Sequence, residues 1–371
     1  MDTYQAIGGA AGCHALATAF YARVGQDPVL RPLFPSTFTC AIEEFSAFLV
    51  QFLGGEPEAM QRRWWLSLRE SHNRFSLGPR ERDAWLRAMK LTLSDGSLIP
   101  DSKVRGELLA FFTHSSAYIV NNGRTPVVEP IAVAPIKGEL APLWAEQLAI
   151  DEVVALIHNE RCPELLQSPA LQSRFRRSPS VHASILSLVS RSHRRYAFEQ
   201  LRSNPSLVHQ RYRHGRSLLQ DAAAAGDLAM VEILLDLGPG ETADAERALY
   251  CVGNQCRAPG AARVVRLLLQ RTSACIDSAH GAKRCTALHM AARRGNVEVI
   301  ETLLDSGAGI EARDSMGETP LRRAVNCGKV KAAKLLLARG ADPDSESKRK
   351  LTPRLAARSA EMRQILGRIA E

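Results

Sequence analysis

One histidine, His72, stands between an apolar, aromatic stretch at residues 64–68 and the start of a predicted helix. Gly78 and Pro79, followed by acidic residues within one turn, are typical of a helix N-terminus. The apolar positions that follow recur at helical spacing and are Trp85, Leu86, Met89 and Leu93. A neutral imidazole donates a nitrogen lone pair to metals and is one of the few side chains that hold haem iron. The local pattern alone also fits an ordinary structural histidine.

The elements that would position this histidine are amphipathic helices over residues 1–123. Phe45, Phe48, Leu49 and Phe52 follow the i, i+3, i+4, i+7 spacing of a single apolar helix face. Glycine and proline within residues 54–57 end that helix. The apolar positions of a last predicted helix are Leu108, Phe111, Phe112 and Tyr118. The segment therefore reads as a compact all-α domain.

Residues 1–123 resemble the truncated haemoglobins, and most closely their second group. The resemblance rests on five blocks in the right order: YQAIGG at 4–9, FYARV at 20–24, LRPLFP at 30–35, FLVQFLGG at 48–55, and the segment 72–89. It implies an all-α globin built as a two-on-two helical sandwich. It also implies a b-type haem whose iron is coordinated by His72.

The same resemblance implies roles for seven further side chains. It places Tyr21 on the distal side, Trp85 in the pocket and Ala41 at the distal gate, with aromatic rings against the porphyrin or the gas. The implied cofactor-binding residues are Tyr21, Phe34, Ala41, Phe45, Phe48, Phe75 and Trp85. A phenol and an indole can each donate a hydrogen bond, which would slow the release of a bound gas. Many relatives have a second tyrosine where Phe34 stands, so this chain has one hydrogen-bond donor fewer near the gas. Without the resemblance, these aromatic residues could also be plain core residues.

Length and composition limit the class of protein. A chain of 371 residues is expected to hold two or more domains. No apolar run approaches the roughly 20 residues of a membrane helix, and the N-terminus lacks a secretory signal pattern. We therefore expect no membrane span and a cytoplasmic location. The eight cysteines form no C-x-x-C pair, which argues against a zinc ribbon, a disulfide framework and covalent haem attachment.

The net charge of +9 is unevenly distributed. In residues 1–123, 12 Lys and Arg balance 12 Asp and Glu. Residues 171–215 hold nine arginines and one acid, Glu199. Such a stretch can bind phosphate-rich or acidic partners, or it can form a solvated helix face. No stacking aromatics or nucleic-acid motif accompany it, so we do not expect a nucleic-acid partner.

The region after residue 123 changes in character twice. Proline recurs over 124–145, and because it fixes φ and removes a backbone donor, we predict an extended linker there. Residues 146–213 read as short helices broken at prolines, which we interpret as a helical region of degenerate helix pairs. The two segments separate the globin-like domain from a repetitive C-terminal part.

The C-terminal part, residues 214–371, repeats with a period of 33. Thr286, Thr319 and Thr352 are successively 33 residues apart, and each opens a variant of the T-P-L-H-x-A-A pattern. That pattern and period are the signature of ankyrin repeats, which form a solenoid stable only as a stack. The segment resembles about five such repeats, the first two irregular. His289 occupies the histidine position of the signature, so we expect it to hydrogen bond near Thr286 rather than bind a metal.

Three functions remain open from the sequence. The leading hypothesis is a haem globin that reversibly binds oxygen, nitric oxide or carbon monoxide, coupled to an unknown protein partner through the ankyrin repeats, as a carrier or sensor. The second is a haem enzyme of the peroxidase or nitric oxide dioxygenase type, localised by the repeats. The third is an ankyrin scaffold with a vestigial globin.

Overall fold

The structure is a computed structural model that describes residues 2–55, 66–73, 75–121, 136, 138–212, 215–238, 242–256 and 258–367. The chain forms two compact units, Met1–Ser184 with Tyr212–Gly215, and Ile185–Arg211 with Arg216–Glu371. Every element longer than an isolated bridge in the described residues is a helix, so the prediction of an all-α chain is confirmed. None of the described helices is long and apolar enough to cross a membrane.

The first unit begins with the predicted two-on-two sandwich. Its helices are α1 (Thr3–Ala6), α2 (Gly9–Val24), α3 (Thr39–Phe52), α4 (Leu68–His72), α5 (Pro79–Leu93) and α6 (Ser102–Tyr118). Helix α2 packs against α3, α5 packs against α6, and α2 also contacts α5. Two pairs of helices therefore enclose one core. Trp64, Trp65 and Arg74, which flank His72 in the sequence, lie outside the described residues.

Local sequence explains where the two central helices begin and end. Helix α5 has Pro79 as its first residue, and the N–H of Gly78 donates to Glu81 Oε2 at 2.9 Å. Proline lacks the N–H that would be unsatisfied there, and the glutamate accepts one of the remaining donors. Helix α3 ends at Phe52, and Gly54 follows with φ +94°, a conformation that favours glycine.

The core of the sandwich is aromatic. Phe20, Phe52, Phe111 and Phe112 are fully buried, and the rings of Phe52 and Phe111 stack with their centroids 4.4 Å apart. Burying a phenylalanine side chain contributes about 1.5–3 kcal/mol, so these residues dominate the packing of α2, α3 and α6.

Four further helices follow: α7 (Leu140–Ala155), α8 (Cys162–Leu166), α9 (Pro169–Arg177) and α10 (Pro179–Val189). The prediction of an extended linker over 124–145 is therefore wrong for its last part, because α7 begins at Leu140; residues 122–135 and 137 lie outside the described residues. Leu140 is fully buried in the globin core, so its burial outweighs the extended bias of the nearby prolines.

Helix α7 is part of the globin core. The ring of Trp144 lies edge-on against Phe111 and Tyr118, with centroids 5.7 and 5.3 Å apart. Just before α7, Glu139 Oε2 accepts hydrogen bonds from the backbone N–H and the hydroxyl of Thr3, both at 3.1 Å. The first unit thus extends beyond the segment that resembles a globin.

The second unit is the predicted solenoid. Its helices are α11 (Arg194–Ser203), α12 (Leu218–Ala225), α13 (Leu228–Leu237), α14 (Thr242–Gln255), α15 (Ala261–Arg271), α16 (Ala287–Arg294), α17 (Val297–Asp305), α18 (Pro320–Asn326), α19 (Val330–Ala338), α20 (Pro353–Ala356) and α21 (Ala360–Gly367). The even-numbered helices from α12 to α20 stack in one layer and the odd-numbered helices from α13 to α21 in another. Helix α11 packs on α13, so the layer of odd-numbered helices begins before the first repeat that was recognised in the sequence.

The signature residues of the repeats have the predicted structural roles. The side chains of Thr286, Thr319 and Thr352 each accept a backbone N–H three residues on, which caps the helix that follows. His289 Nδ1 lies 2.9 Å from Thr286 Oγ1, and its Nε2 lies 2.9 Å from the carbonyl oxygen of Glu318 in the next repeat. Burial lowers the pKa of His289, which keeps the imidazole neutral in this role.

Many arginines of the basic stretch form ion pairs. Those with a carboxylate within 4 Å are Arg174, Arg177, Arg194, Arg195 and Arg211. Arg194 pairs with Asp227 at 3.1 Å, and Arg195 with Glu199 at 2.9 Å. Much of the positive charge is therefore compensated, by Glu199 within the stretch and by Glu146, Asp227 and Asp244 from elsewhere in the chain.

We expect Gly253→Ala to destabilise the solenoid by about 1–3 kcal/mol, the usual cost of overpacking. A Cβ at Gly253 would lie 2.4 Å from the carbonyl oxygen of Ala287, so α14 and α16 would have to separate. The free energy of unfolding from urea denaturation measures this cost. The control is Gly367→Ala, where a Cβ meets no described atom within 4 Å; equal stabilities of the two variants would contradict the prediction.

Candidate functional site

A cavity of about 460 Å³ lies among helices α2 to α6 of the first unit. Its volume falls within the roughly 300–1,000 Å³ typical of small-molecule sites. All eight residues that the sequence singled out line it: Tyr21, Phe34, Ala41, Phe45, Phe48, His72, Phe75 and Trp85. Their sequence separation reaches 64 residues, so the fold, and not local sequence alone, brings them together.

The orientation of the His72 imidazole is defined by hydrogen bonds. Its Nδ1 lies 2.8 Å from the carbonyl oxygen of Leu68 and 2.8 Å from Ser71 Oγ, while Ser71 Oγ itself donates to the Leu68 carbonyl at 2.7 Å. Because a carbonyl oxygen can only accept, we assign the proton to Nδ1. In the neutral ring this tautomer puts the lone pair on Nε2, the arrangement of a ligating histidine.

The short helix that carries His72 is capped from two directions. Ser67 Oγ accepts the N–H of Glu70 at 3.0 Å. Asp151, on α7, accepts the N–H groups of Leu68 and Arg69 at 2.9 and 3.3 Å. These acceptors satisfy donors that have no partner within the helix. A five-residue helix would be marginal without such support.

Burial raises the pKa of two side chains next to this helix, the Asp151 carboxyl and the Tyr118 hydroxyl. Asp151 is buried, and desolvation raises its pKa against the opposing effect of its hydrogen bonds with Gln147, Leu68, Arg69 and Tyr118. Burial also raises the pKa of the Tyr118 hydroxyl, and the nearby charge of Asp151 adds to that shift. Tyr118 therefore stays a neutral phenol that can donate to Asp151.

Aromatic rings form much of the wall of the cavity that His72 lines. The Tyr21 and Phe34 centroids are 5.5 Å apart in an edge-to-face arrangement, and those of Phe45 and Trp85 are 6.4 Å apart. The Phe34 and Phe75 rings approach to 6.2 Å. Tyr21 is mostly buried, at 9% exposure, whereas Trp85 is only partly buried and lines the cavity. The wall is thus apolar, with a phenol and an indole as its polar groups.

Sequence reasoning missed part of the lining. Helix α6 contributes Phe112, Ser115 and Ser116, and its C-cap residue Ile119 continues the i, i+3, i+4, i+7 spacing of that face. The two serines interrupt the apolar pattern of this face. Their small size at helical spacing is the feature of the sequence from which this face could have been predicted to line a cavity. Sequence reasoning also missed Arg82, which lines the cavity from the first turn of α5.

The chemistry of these residues fits a haem. No group of three or more His, Cys, Asp or Glu side chains suited to a bare metal ion occurs in the described parts of the chain. The cavity instead combines one oriented imidazole with an aromatic wall, which suits a planar apolar macrocycle that supplies its own ligands. Arg82 Nε is buried without a hydrogen-bond partner among the described residues, so it can donate to a carboxylate of such a group.

Known proteins match the first unit in the same region. The family model for the bacterial-like globins matches residues 2–117. The group 2 truncated hemoglobin YjbI of Bacillus subtilis is 32% identical over 118 residues, which covers 32% of this chain and 87% of that protein. The resemblance drawn from the sequence blocks is therefore confirmed.

The repeats match a second family model, ankyrin repeats in three copies, over residues 254–347. A transient receptor potential cation channel subfamily A member 1 homolog of Caenorhabditis elegans is 35% identical over 145 residues, or 36% of this chain. The ADP-ribosylation factor GTPase-activating protein AGD4 of Arabidopsis thaliana is 44% identical over 62 residues, or 17% of this chain. The chain covers only 11% and 8% of the lengths of these two proteins, respectively. Through residues 2–117 the chain belongs to the bacterial-like globin family, and it joins that globin to ankyrin repeats, a protein-interaction module.

Proposed function

We propose that the first unit holds haem b through His72 and reversibly binds a small gas, with oxygen as the leading candidate. Membership of the globin family implies haem binding in general. The observation that carries the proposal for this chain is the hydrogen bond from His72 Nδ1 to the Leu68 carbonyl, because it leaves the lone pair on Nε2 beside an aromatic cavity. When bound, the haem iron supplies the position at which a diatomic gas coordinates.

The remaining residues of the cavity would control the gas. Tyr21 and Trp85 can each donate a hydrogen bond to a ligand that gains negative charge. Phe34 and Phe45 line the cavity and limit the water that could compete for those donors. Ala41 adds little volume and no donor to its stretch of the lining, which leaves room for a diatomic molecule to enter.

Absorption spectroscopy of the purified full chain tests this proposal. We expect haemin to bind with one-to-one stoichiometry and to give a Soret band that shifts reversibly when the reduced protein is exposed to oxygen or carbon monoxide. A chain that takes up no haemin would contradict the proposal and leave the ankyrin scaffold. Rapid consumption of peroxide or nitric oxide in stopped flow would replace reversible binding with an enzymatic function.

We expect Trp85→Phe to accelerate oxygen release about fivefold, since a net hydrogen bond contributes about 1 kcal/mol. The substitution keeps an aromatic ring in the cavity and removes only the indole donor. Flash photolysis or stopped-flow displacement of oxygen measures the rate. The control is Tyr250→Phe on α14 of the second unit, which removes a donor away from the cavity and should leave the release rate unchanged. An unchanged rate in Trp85→Phe would remove the indole from the set of gas-binding groups.

We further propose that the ankyrin repeats bind a protein partner. Stacked repeats present a continuous surface, which is the usual binding site of such solenoids. If the gas state is transmitted to this surface, the affinity for that partner differs between the deoxygenated and oxygenated protein. Equal affinities, measured by calorimetry with one partner, would make the protein a carrier with an independent interaction module.

A further inference from the structure

The peptide unit between Leu68 and Arg69 is hydrogen bonded at both ends. Its carbonyl oxygen lies 2.8 Å from His72 Nδ1, and its N–H donates to Asp151 Oδ2 at 3.3 Å. The preceding N–H, that of Leu68, donates to Asp151 Oδ1 at 2.9 Å. Hydrogen bonds in series polarise one another, so an acidic acceptor on the N–H makes the carbonyl a stronger acceptor from His72.

We propose that Asp151 is a positioning residue for His72 and acts through this peptide unit. The inference rests on the proposed role of His72 as the iron ligand. A group that accepts strongly from the non-ligating nitrogen of a histidine fixes its tautomer and raises the basicity of the ligating nitrogen. Asp151 therefore strengthens the bond between Nε2 and iron, although it lies one peptide unit away from the imidazole.

Asp151 is itself held in place by Gln147, one turn earlier on α7. Gln147 Nε2 donates to Asp151 Oδ1 at 2.9 Å and to the carbonyl oxygen of Leu66 at 2.8 Å, so it bridges α7 to the segment before α4. Tyr118 lies nearby on α6, and the charge of Asp151 contributes to the raised pKa of its hydroxyl. The guanidinium of Arg69 lies 4.0 Å from the centroid of the Tyr118 ring, which adds a cation–π contact.

This arrangement gives a role to a helix that the globin family model does not include. Residues 2–117 match the family, whereas α7 spans Leu140–Ala155. A shift of α7 would break or lengthen the two hydrogen bonds to α4 and so change the orientation of His72. The gas affinity of the first unit is thus open to control from the chain that follows the globin.

The test compares Asp151→Asn with the neighbouring control Glu152→Gln in the full chain. Glu152 is exposed on the same helix, so both variants lose one carboxylate, but only Asp151 contacts α4. In the haemin-loaded, reduced, ligand-free protein we expect Asp151→Asn to lower the frequency of the iron–histidine stretching band in the resonance Raman spectrum. We also expect haemin to transfer to an apoglobin acceptor roughly tenfold faster, the lower end of the effect of removing a group that supports a ligating histidine.

A second readout needs no haem. In the haem-free protein, amide hydrogen exchange at residues 66–73 should accelerate in Asp151→Asn and in Gln147→Met, which keeps the volume and removes the bridging donor. Glu152→Gln should match the wild type in both measurements. Gln147→Met also serves if Asp151→Asn fails to fold.

The outcomes separate this inference from the proposed function. A wild-type chain that takes up no haemin overturns the proposed function and the inference that rests on it. A loaded wild type whose iron–histidine band is unchanged in Asp151→Asn overturns the inference alone. Faster exchange at residues 66–73 with an unchanged band would leave Asp151 as a stabiliser of α4 and would also overturn it.

Discussion

The His72→Gly variant is expected to lose haem roughly 100-fold or more faster than the wild type. Removing a group that only supports a ligating histidine lowers metal affinity about 10–100-fold, and removing the ligand itself should have a larger effect. The substitution removes the proposed iron ligand, an imidazole that lines the cavity and is oriented by the hydrogen bond between Nδ1 and the Leu68 carbonyl. The Soret band should shift, and haemin transfer to an apoglobin acceptor measures the rate. Free imidazole should restore much of the original spectrum by occupying the space left by the side chain.

His14→Gly is the matched control for this variant. His14 lies on α2, is exposed and does not line the cavity, so the substitution introduces a glycine into a helix without touching the site. Its haem retention should equal that of the wild type. If His72→Gly also retains haem with an unchanged spectrum, the assignment of the iron ligand is wrong.

The second large effect is expected in the solenoid, where Asp314→Asn should cost about 3–5 kcal/mol, the range for breaking a buried ion pair. The Asp314 side chain has no exposure and pairs with the guanidinium of Arg323. It also accepts the N–H groups of Met316 and Glu318 at 2.8 and 3.0 Å. The amide would leave the half-buried Arg323 guanidinium with Glu318, at 3.4 Å, as its remaining charged partner. Chemical denaturation of the full chain measures the loss.

Asp305→Asn provides the comparison for an exposed pair. Asp305 lies 2.6 Å from the Arg339 guanidinium, but 59% of its side chain is exposed. Exposed ion pairs contribute about 0–1 kcal/mol, so this variant should be nearly as stable as the wild type. Similar losses in the two variants would show that burial does not determine the strength of the Asp314 pair.

The pKa of Asp314 also predicts how the stability of the solenoid depends on pH. Burial alone would raise the pKa of Asp314, but the hydrogen bonds from the Glu318 and Met316 amides and from Arg323 outweigh it, so the pKa is lowered. Because the folded pKa lies below the unfolded value of about 3.9, the stabilisation is complete above that pH and is lost as the pH falls through the folded pKa. In Asp314→Asn the decline in stability over this acid range should be shallower; a parallel decline would contradict the assignment.

The sequence predicted most of what local chemistry determines. The start of α5 at Pro79, the end of α3 before Gly54, and the caps at Thr286 and Thr319 all depend on residues within one or two turns. The 33-residue period located the stacked helices because each repeat buries its apolar face only against its neighbours. The eight predicted site residues line one cavity because helices α2 to α5 and the segments next to them enclose it.

The contacts that sequence reasoning missed depend on distant residues. Asp151 and Gln147 meet residues 66–69 across more than 80 positions, and no periodicity or capping pattern marks such a pair. The start of α7 was missed for a related reason. Prolines nearby favour extended chain, but Leu140 and Trp144 are buried in the globin core, and tertiary packing outweighs that local bias.

The position of Trp144 determines where the chain can be truncated to obtain the globin unit alone. A fragment that stops at residue 117, at the edge of the family match, would expose the ring of Phe111 to solvent and deprive the His72 helix of Asp151. Newly exposed aromatic surface of this kind promotes aggregation. A fragment that continues through α9 to residue 178, before α10 begins, keeps both contacts. Gas affinities from the shorter fragment would describe a different proximal environment from that of the intact chain.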